Sequence, residues 1–208
     1  ADAARSMEFF HTAPYYRPVE VAPGISARFI EAGHILGSAQ VEVTLSKGDR
    51  RTVLLFSGDL GRPAMPILKD PDIGASSPDI LLMEATYGGR NHEPGVSAAK
   101  RLGRTVRETA ARGGRVIIPS FSVGRTQEIL YFLRLLRENG SAPRVPDFVD
   151  SPMATDATAI FRLHPECFDE EAMEAVHGGS SPFGFEGLHF IRSISESRAL
   201  NDMTGPSV

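Results

Sequence analysis

Residues 54–62 read LLFSGDLGR: apolar residues suited to a buried strand, then Ser57-Gly58-Asp59-Leu60-Gly61, a turn that carries a carboxylate out on the strand's end. The same design occurs twice more. Upstream, SARFIEA runs into the Gly-flanked turn of AGHILGSAQ (residues 32–40), from which His34 can project. Downstream, LLMEATYGG (residues 81–89) sets Glu84 directly behind a mostly apolar run of the buried-strand type. Taken singly, a turn histidine is a satisfied loop residue and a turn aspartate caps its own backbone. Glu84 is harder to dismiss, because an isolated carboxylate in an apolar segment costs several kcal/mol or is neutralised. Three strand ends delivering His, Asp and Glu is how a site for a hard or borderline metal ion is assembled on a sheet.

Around these three turns the first ninety residues are strand-dominated. VEVAPGISARFIEAG (residues 19–33) reads as a hairpin turning at Pro23-Gly24, and QVEVTL, the turn SKGDR and TVLLFSGD as a second, while residues 2–10 read as the end of a helix. Near Glu93 the texture changes. SAAKRLGRTVRETAARGG (residues 97–114) has helical spacing at Ala98, Leu102, Val106 and Ala110 and stops at Gly113. It feeds an expected strand, RVIIPSFS, then a helix over TQEILYFLRLLRENG, a strand over RVPDFVDS, a helix over ATDATAIFRL and a shorter one near 168–176. Such βαβ alternation predicts a mostly parallel sheet covered by helices. The expected fold class is therefore α/β, with a boundary in the Pro- and Gly-bearing stretch 88–95.

Composition fits this and narrows the chemistry. With 208 residues, 41% hydrophobic and 23% charged, the chain can bury a core. It has no apolar run of membrane-spanning length and no signal-peptide layout, so a cytoplasmic location is expected. The one cysteine, Cys167, cannot form a thiolate cluster, which leaves His, Asp and Glu to hold any metal. A net charge of −4 argues against a broad nucleic-acid-coating surface but not against a nuclease, whose metal-binding carboxylates lower the count.

In order, AGHILGSAQ, FSGDLGRP and MEATYGGRNH resemble metal-binding and accessory motifs of the metallo-β-lactamase-fold nucleases of the β-CASP group. RVIIPSFSVGRTQEILYFL and FVDSPMATDATAIF resemble the start of the β-CASP insertion, so the likeness covers nearly the whole chain. The resemblance implies part of an αββα sandwich over residues 1–92 and an incomplete β-CASP domain over 93–208. It implies zinc-dependent hydrolysis of RNA phosphodiesters, with two Zn²⁺ in the complete protein, His34 ligating one and Asp59 bridging both. Glu84 would be an accessory acid that orients a further histidine; Asp59 and Glu84 are the catalytic candidates. The family's H-x-H-x-D-H motif is not in these residues, nor are two later accessory histidines; the chain is expected to be an internal piece of a longer protein, inactive alone. Single-stranded RNA is the expected partner, no membrane is, and a homodimer is admissible.

Weaker candidates for substrate binding are Arg90 and His92 behind the Glu84 turn, Ser120, Ser122 and Arg125 at a strand-to-helix junction, and Ser151 at another. Capping of the helix by Ser122 or Thr126 is the favoured alternative at the first junction. Lys100, Arg101, Arg104 and Arg107 form a basic helix surface whose default role is solvation, and Phe121, Tyr131 and Phe132 are expected in the core. Two other functions compete: a metallo-hydrolase of small esters, thioesters or lactams, and a scaffold subunit that has lost its metal.

Overall fold

The computed structural model describes residues 2–91 and 95–208. They form two compact units, one of Ala1–Pro63 with Asp70–Thr86, the other of Ala64–Lys69 with Tyr87–Val208. His92, and the boundary expected at 92/93, fall at residues outside the described set.

The first unit opens with a short helix, α1 (Asp2–Ser6), and is built on a five-stranded mixed sheet. Its strands are β1 (Val19–Ala22), β2 (Ile25–Glu31), β3 (Ala39–Lys47), β4 (Arg50–Phe56) and β5 (Ile80–Leu82), in that spatial order. Both expected hairpins form. β1 to β4 pair antiparallel, and β5 lies parallel to β4. Because side chains alternate across a strand, the register sorts them into two faces. One carries Ala27, Phe29, Val41, Val43, Leu54, Phe56, Ile80 and Leu82. The other carries Arg28, Ile30, Gln40, Glu42 and Leu55, and residues 70–79 cover it through side-chain bonds. Arg28 makes a two-pronged bond to Glu42 (3.0 and 2.7 Å) and also donates to the Ala75 carbonyl, while Ser76 donates to Glu42. These bonds hold the Glu42 carboxyl below the usual carboxylate range against the opposing effect of its burial.

The buried strand expected at residue 80 is not buried. Ile80, Leu81, Leu82 and Met83 are 48, 54, 48 and 64% exposed. The reason is position: β5 is an edge strand, and Ile80 and Leu82 lie on the apolar face, where Leu45 and Phe56 are also 39% exposed.

The second unit contains helices α2 (Gly95–Ala111), α3 (Arg125–Glu138), α4 (Pro152–Leu163), α5 (Glu170–His177) and α6 (Ile194–Asp202), with strands β6 (Asp147–Val149) and β7 (Leu188–Phe190). β6 and β7 pair in parallel. Val208 donates to Pro146 and accepts from Phe148, and Val116 donates to Ser207, so the parallel pattern extends across two more segments. The core lies between helix and sheet: Val106, Leu133, Leu136 and Ala142, with Leu102, Val116, Ile129, Phe185 and Val208 packed against them.

RVIIPSFS departs from the expected strand. Exposure alternates residue by residue along 115–120, as in a strand, but pairing stops after Arg115 and Val116. Among the described residues nothing continues the ladder beside Ile117–Phe121, and Phe121, expected in the core, is 92% exposed. Tyr131 is buried as expected, and Phe132 partly so.

Two features stiffen this unit. Arg137 and Asp147, 5 and 3% exposed, form an ion pair at 2.5 Å, with the guanidinium 4.8 Å over the Phe185 ring. Residues 64–69 are tied in by Asp169, whose carboxylate accepts from the Ile67 amide and whose amide donates to the Ile67 carbonyl. Ile67 is held at φ 84°, a left-handed value that a β-branched side chain resists. No helix among the described residues is long and apolar enough to cross a membrane.

Candidate metal-binding site

β2 and β4 both run antiparallel to β3, and β5 runs parallel to β4, so the carboxyl ends of β2, β4 and β5 share one edge of the sheet. His34, Asp59 and Glu84 follow those three ends, which brings the three turns of LLFSGDLGR type to one rim. The strand periodicity that made each turn legible thus also places them together.

Main-chain bonds lace the rim. The Gly61 amide donates to the Ala32 carbonyl at 2.8 Å, joining the Asp59 turn to the His34 turn. The Leu60 amide donates to Glu84 Oε1 (3.2 Å) and the Thr86 amide to Glu84 Oε2 (3.1 Å). The Glu84 amide donates to Ser57 Oγ (3.0 Å), and the Ser57 amide to the Leu82 carbonyl (2.9 Å). Hydrogen bonds from Thr86, then from the Leu60 amide, with a smaller contribution from His34, hold the Glu84 carboxyl below the usual carboxylate range. Glu84 is therefore ionised and engaged as a brace of two turns, which supplies the partner that its apolar segment demanded.

His34 and Asp59 behave differently. Both are exposed, and no described residue hydrogen-bonds the imidazole or the carboxylate. The His34 backbone, by contrast, is fixed: the amides of His34 and Ile35 donate to Ser38 Oγ (3.0 and 3.2 Å), and the Gly33 amide to Glu31 Oε1 (2.8 Å). A free imidazole and a free carboxylate on an anchored backbone are donors suited to zinc. They do not complete a site: among the described residues no group of three or more His, Cys, Asp or Glu side chains converges to hold a metal ion. Ser38, Ser57 and Gly61 carry the geometry and were not singled out by sequence. Only Ser38, one turn after a Gly-flanked histidine, gives a local signal, that of a hydroxyl closing a turn.

Two glycines are required here. Gly58 has φ 57°, and a Cβ on it would stand 2.9 Å from the Ala39 carbonyl oxygen. At Gly61 a Cβ would stand 1.7 Å from the Gly33 carbonyl oxygen and 2.9 Å from the His34 amide nitrogen, so the two turns cross backbone to backbone.

The second unit gathers some of the remaining candidates. Ser120 and Ser151 line one cleft of about 380 Å³ with Thr126, Asp147 and Asp150, floored by Ile129, Leu130 and Leu133 of α3. Ser122 and Arg125 do not line it; Arg125 pairs with Glu128 at 2.9 Å. Arg90 is described only as closing a turn, its amide on the Tyr87 carbonyl. Contrary to the capping expected of Ser122 or Thr126, α3 begins at Gly124 with no side-chain cap, because Gly124 at φ 88° takes the capping position itself. Ser151 does cap α4, accepting from the Ala154 amide.

Known proteins resemble this chain in part and along most of its length. Residues 126–208 match the Beta-Casp domain family. Ribonuclease TTHA0252 of Thermus thermophilus is 36% identical over 199 residues, which are 93% of this chain and 44% of the relative. Endoribonuclease YSH1 of Eremothecium gossypii is 30% identical over 100% of this chain and 26% of the relative. Transcription termination factor FttA of Methanothermobacter thermautotrophicus is 31% identical over 94% of this chain and 31% of the relative. The chain thus spans less than half the length of each of these relatives. Residues 126–208 are thus a Beta-Casp domain, in a chain that is similar along nearly its whole length to ribonucleases.

Proposed function

We propose that the protein containing this chain hydrolyses RNA phosphodiester bonds at a zinc site to which His34 and Asp59 contribute ligands. The observation that carries the reading is the contrast on the rim: no described residue hydrogen-bonds the His34 or Asp59 side chain, whereas Glu84 accepts from the Leu60 and Thr86 amides. Ligands must be available and pre-oriented, and a carboxylate with a backbone amide on each oxygen is better suited to hold the others in place. Names of two relatives, a ribonuclease and an endoribonuclease, supply the substrate class.

Zinc bound there would supply Lewis-acid stabilisation for the charge that gathers on a phosphate undergoing attack. His34 would offer an imidazole nitrogen and Asp59 its carboxylate; Glu84 would keep the Asp59 turn in register through the Leu60 amide. Ser120 and Ser151, with the uncapped first turn of α3, would take a phosphate of the chain, since a helix start without a side-chain cap attracts anions.

The first unit is one half of an αββα sandwich, and the exposed apolar face of its sheet supports this, because a contiguous apolar surface of that kind is ordinarily covered.

The test is cleavage of single-stranded RNA by the full-length protein with zinc, against the Asp59→Asn variant. Loss of at least about two orders of magnitude is expected if the Asp59 carboxylate is a zinc ligand; equal cleavage by both proteins defeats the reading.

A further inference from the structure

We propose that Gly61 is a positioning residue: the crossing of its backbone with that of Gly33, backed by Ser38, sets the spacing at which His34 and Asp59 reach one metal site. This rests on the metal reading above and concerns residues that are not themselves ligands.

At Gly61, all three nearest atoms to a Cβ belong to main chain, the Gly33 carbonyl oxygen and carbon at 1.7 and 2.2 Å and the His34 amide nitrogen at 2.9 Å. Flexible side chains can swing aside; a peptide unit cannot. Ordinary contact begins near 3.4 Å, so one methyl group requires a separation of about 1.7 Å between the two turns. Yielding by the His34 turn would strain the bonds that the amides of Gly33, His34 and Ile35 make to Glu31 and Ser38. The Asp59 turn is bonded to Glu84 through the Leu60 amide, and the Gly61 amide ties it to the Ala32 carbonyl of the His34 turn itself. Metal–ligand distances tolerate about 0.2 Å. The displacement forced by one methyl is several times larger, and it falls on the vector joining the two ligand-bearing turns. A glycine that merely relieved turn strain would show positive φ, as Gly58 does; Gly61 does not, so its requirement is proximity.

The experiment is cobalt and zinc titration of the full-length protein, with the cobalt absorption spectrum as a report on coordination geometry and circular dichroism as a report on folding. Gly74→Ala is the control, since Gly74 has ordinary φ and its nearest foreign atom, an Asp72 side-chain oxygen, is 4.0 Å away. Gly61→Ala is expected to fold but to bind metal 10–100-fold more weakly, with an altered cobalt spectrum, while Gly74→Ala matches wild type. Ser38→Ala introduces no clash and only releases the His34 and Ile35 amides, so it answers the question even if Gly61→Ala misfolds; several-fold weaker binding is expected. Wild-type affinity and spectrum in either Gly61→Ala or Ser38→Ala would overturn the positioning role alone. Failure of the wild type to bind metal, or undiminished binding by Asp59→Asn, would defeat the metal reading and the positioning role with it.

Discussion

Replacing Arg137 with Met should turn a constant stability difference into one that grows with pH. In the native protein, burial pushes the Asp147 carboxyl up to about 7, and the Arg137 guanidinium, 2.5 Å away, pulls it back from a still higher value. In the unfolded chain it titrates near 4. The native state therefore keeps a proton that the unfolded state has released, and stability from this group declines as pH rises from about 4 to about 7, at up to about 1.4 kcal/mol per unit. Above that the wild-type carboxyl is ionised and the decline stops. In Arg137→Met the opposing cation is gone, the native carboxyl titrates higher, and the decline continues. Below pH 7 the variant loses chiefly the guanidinium's packing on Phe185. By about pH 9 the gap should widen by roughly 2–3 kcal/mol, in line with the roughly 3–5 kcal/mol cost of breaking a buried pair. Urea unfolding of full-length wild type and variant, read by proteolysis of the unfolded fraction of the second unit, measures this. Parallel profiles between about pH 7 and 9 would refute the reasoning, since they would mean that Asp147 does not depend on Arg137 for its charge.

Asp169→Ala removes the α5 cap, the Oδ1 bond from Ala172, together with the Oδ2 bond from Ile67. About 1–3 kcal/mol of stability should be lost, with faster amide exchange at residues 64–69 as the local sign. Ser57→Ala leaves the Glu84 amide without its acceptor at a residue that is 3% exposed, and should cost about 1–3 kcal/mol in thermal unfolding. Glu84 should titrate below the ordinary carboxylate range, so that the Leu60 and Thr86 amide resonances move together only as pH falls through that depressed value. The stability this carboxylate lends is present above its unfolded pKa and disappears on acidification. Independent titration of the two amides would separate them from Glu84.

What was legible in the sequence was the part encoded locally. LLFSGDLGR, AGHILGSAQ and LLMEATYGG each show an apolar strand and a polar turn, and the structure puts all three turns on one edge of one sheet. The roles of the three residues were not equally legible, because they depend on bonds between turns. Glu84 is occupied by amides from Leu60 and Thr86, and no spacing around residue 84 announces a partner at residue 60. The apolar pattern of ILLM was right about hydrophobicity and silent about coverage, which depends on what lies over the sheet face. Similarly, RVIIPSFS reads as a strand and its exposure alternates like one, but nothing in it names a neighbour, and the ladder stops after Val116. Gly61 shows the same limit most sharply. A glycine selected for φ belongs to a recognisable turn, whereas one selected because another backbone passes within a methyl's radius depends on Gly33, in a different turn. The sequence therefore names His34 and Asp59 as candidate ligands, while the approach of their two turns depends on Gly33 and Gly61, which have no side chain to read.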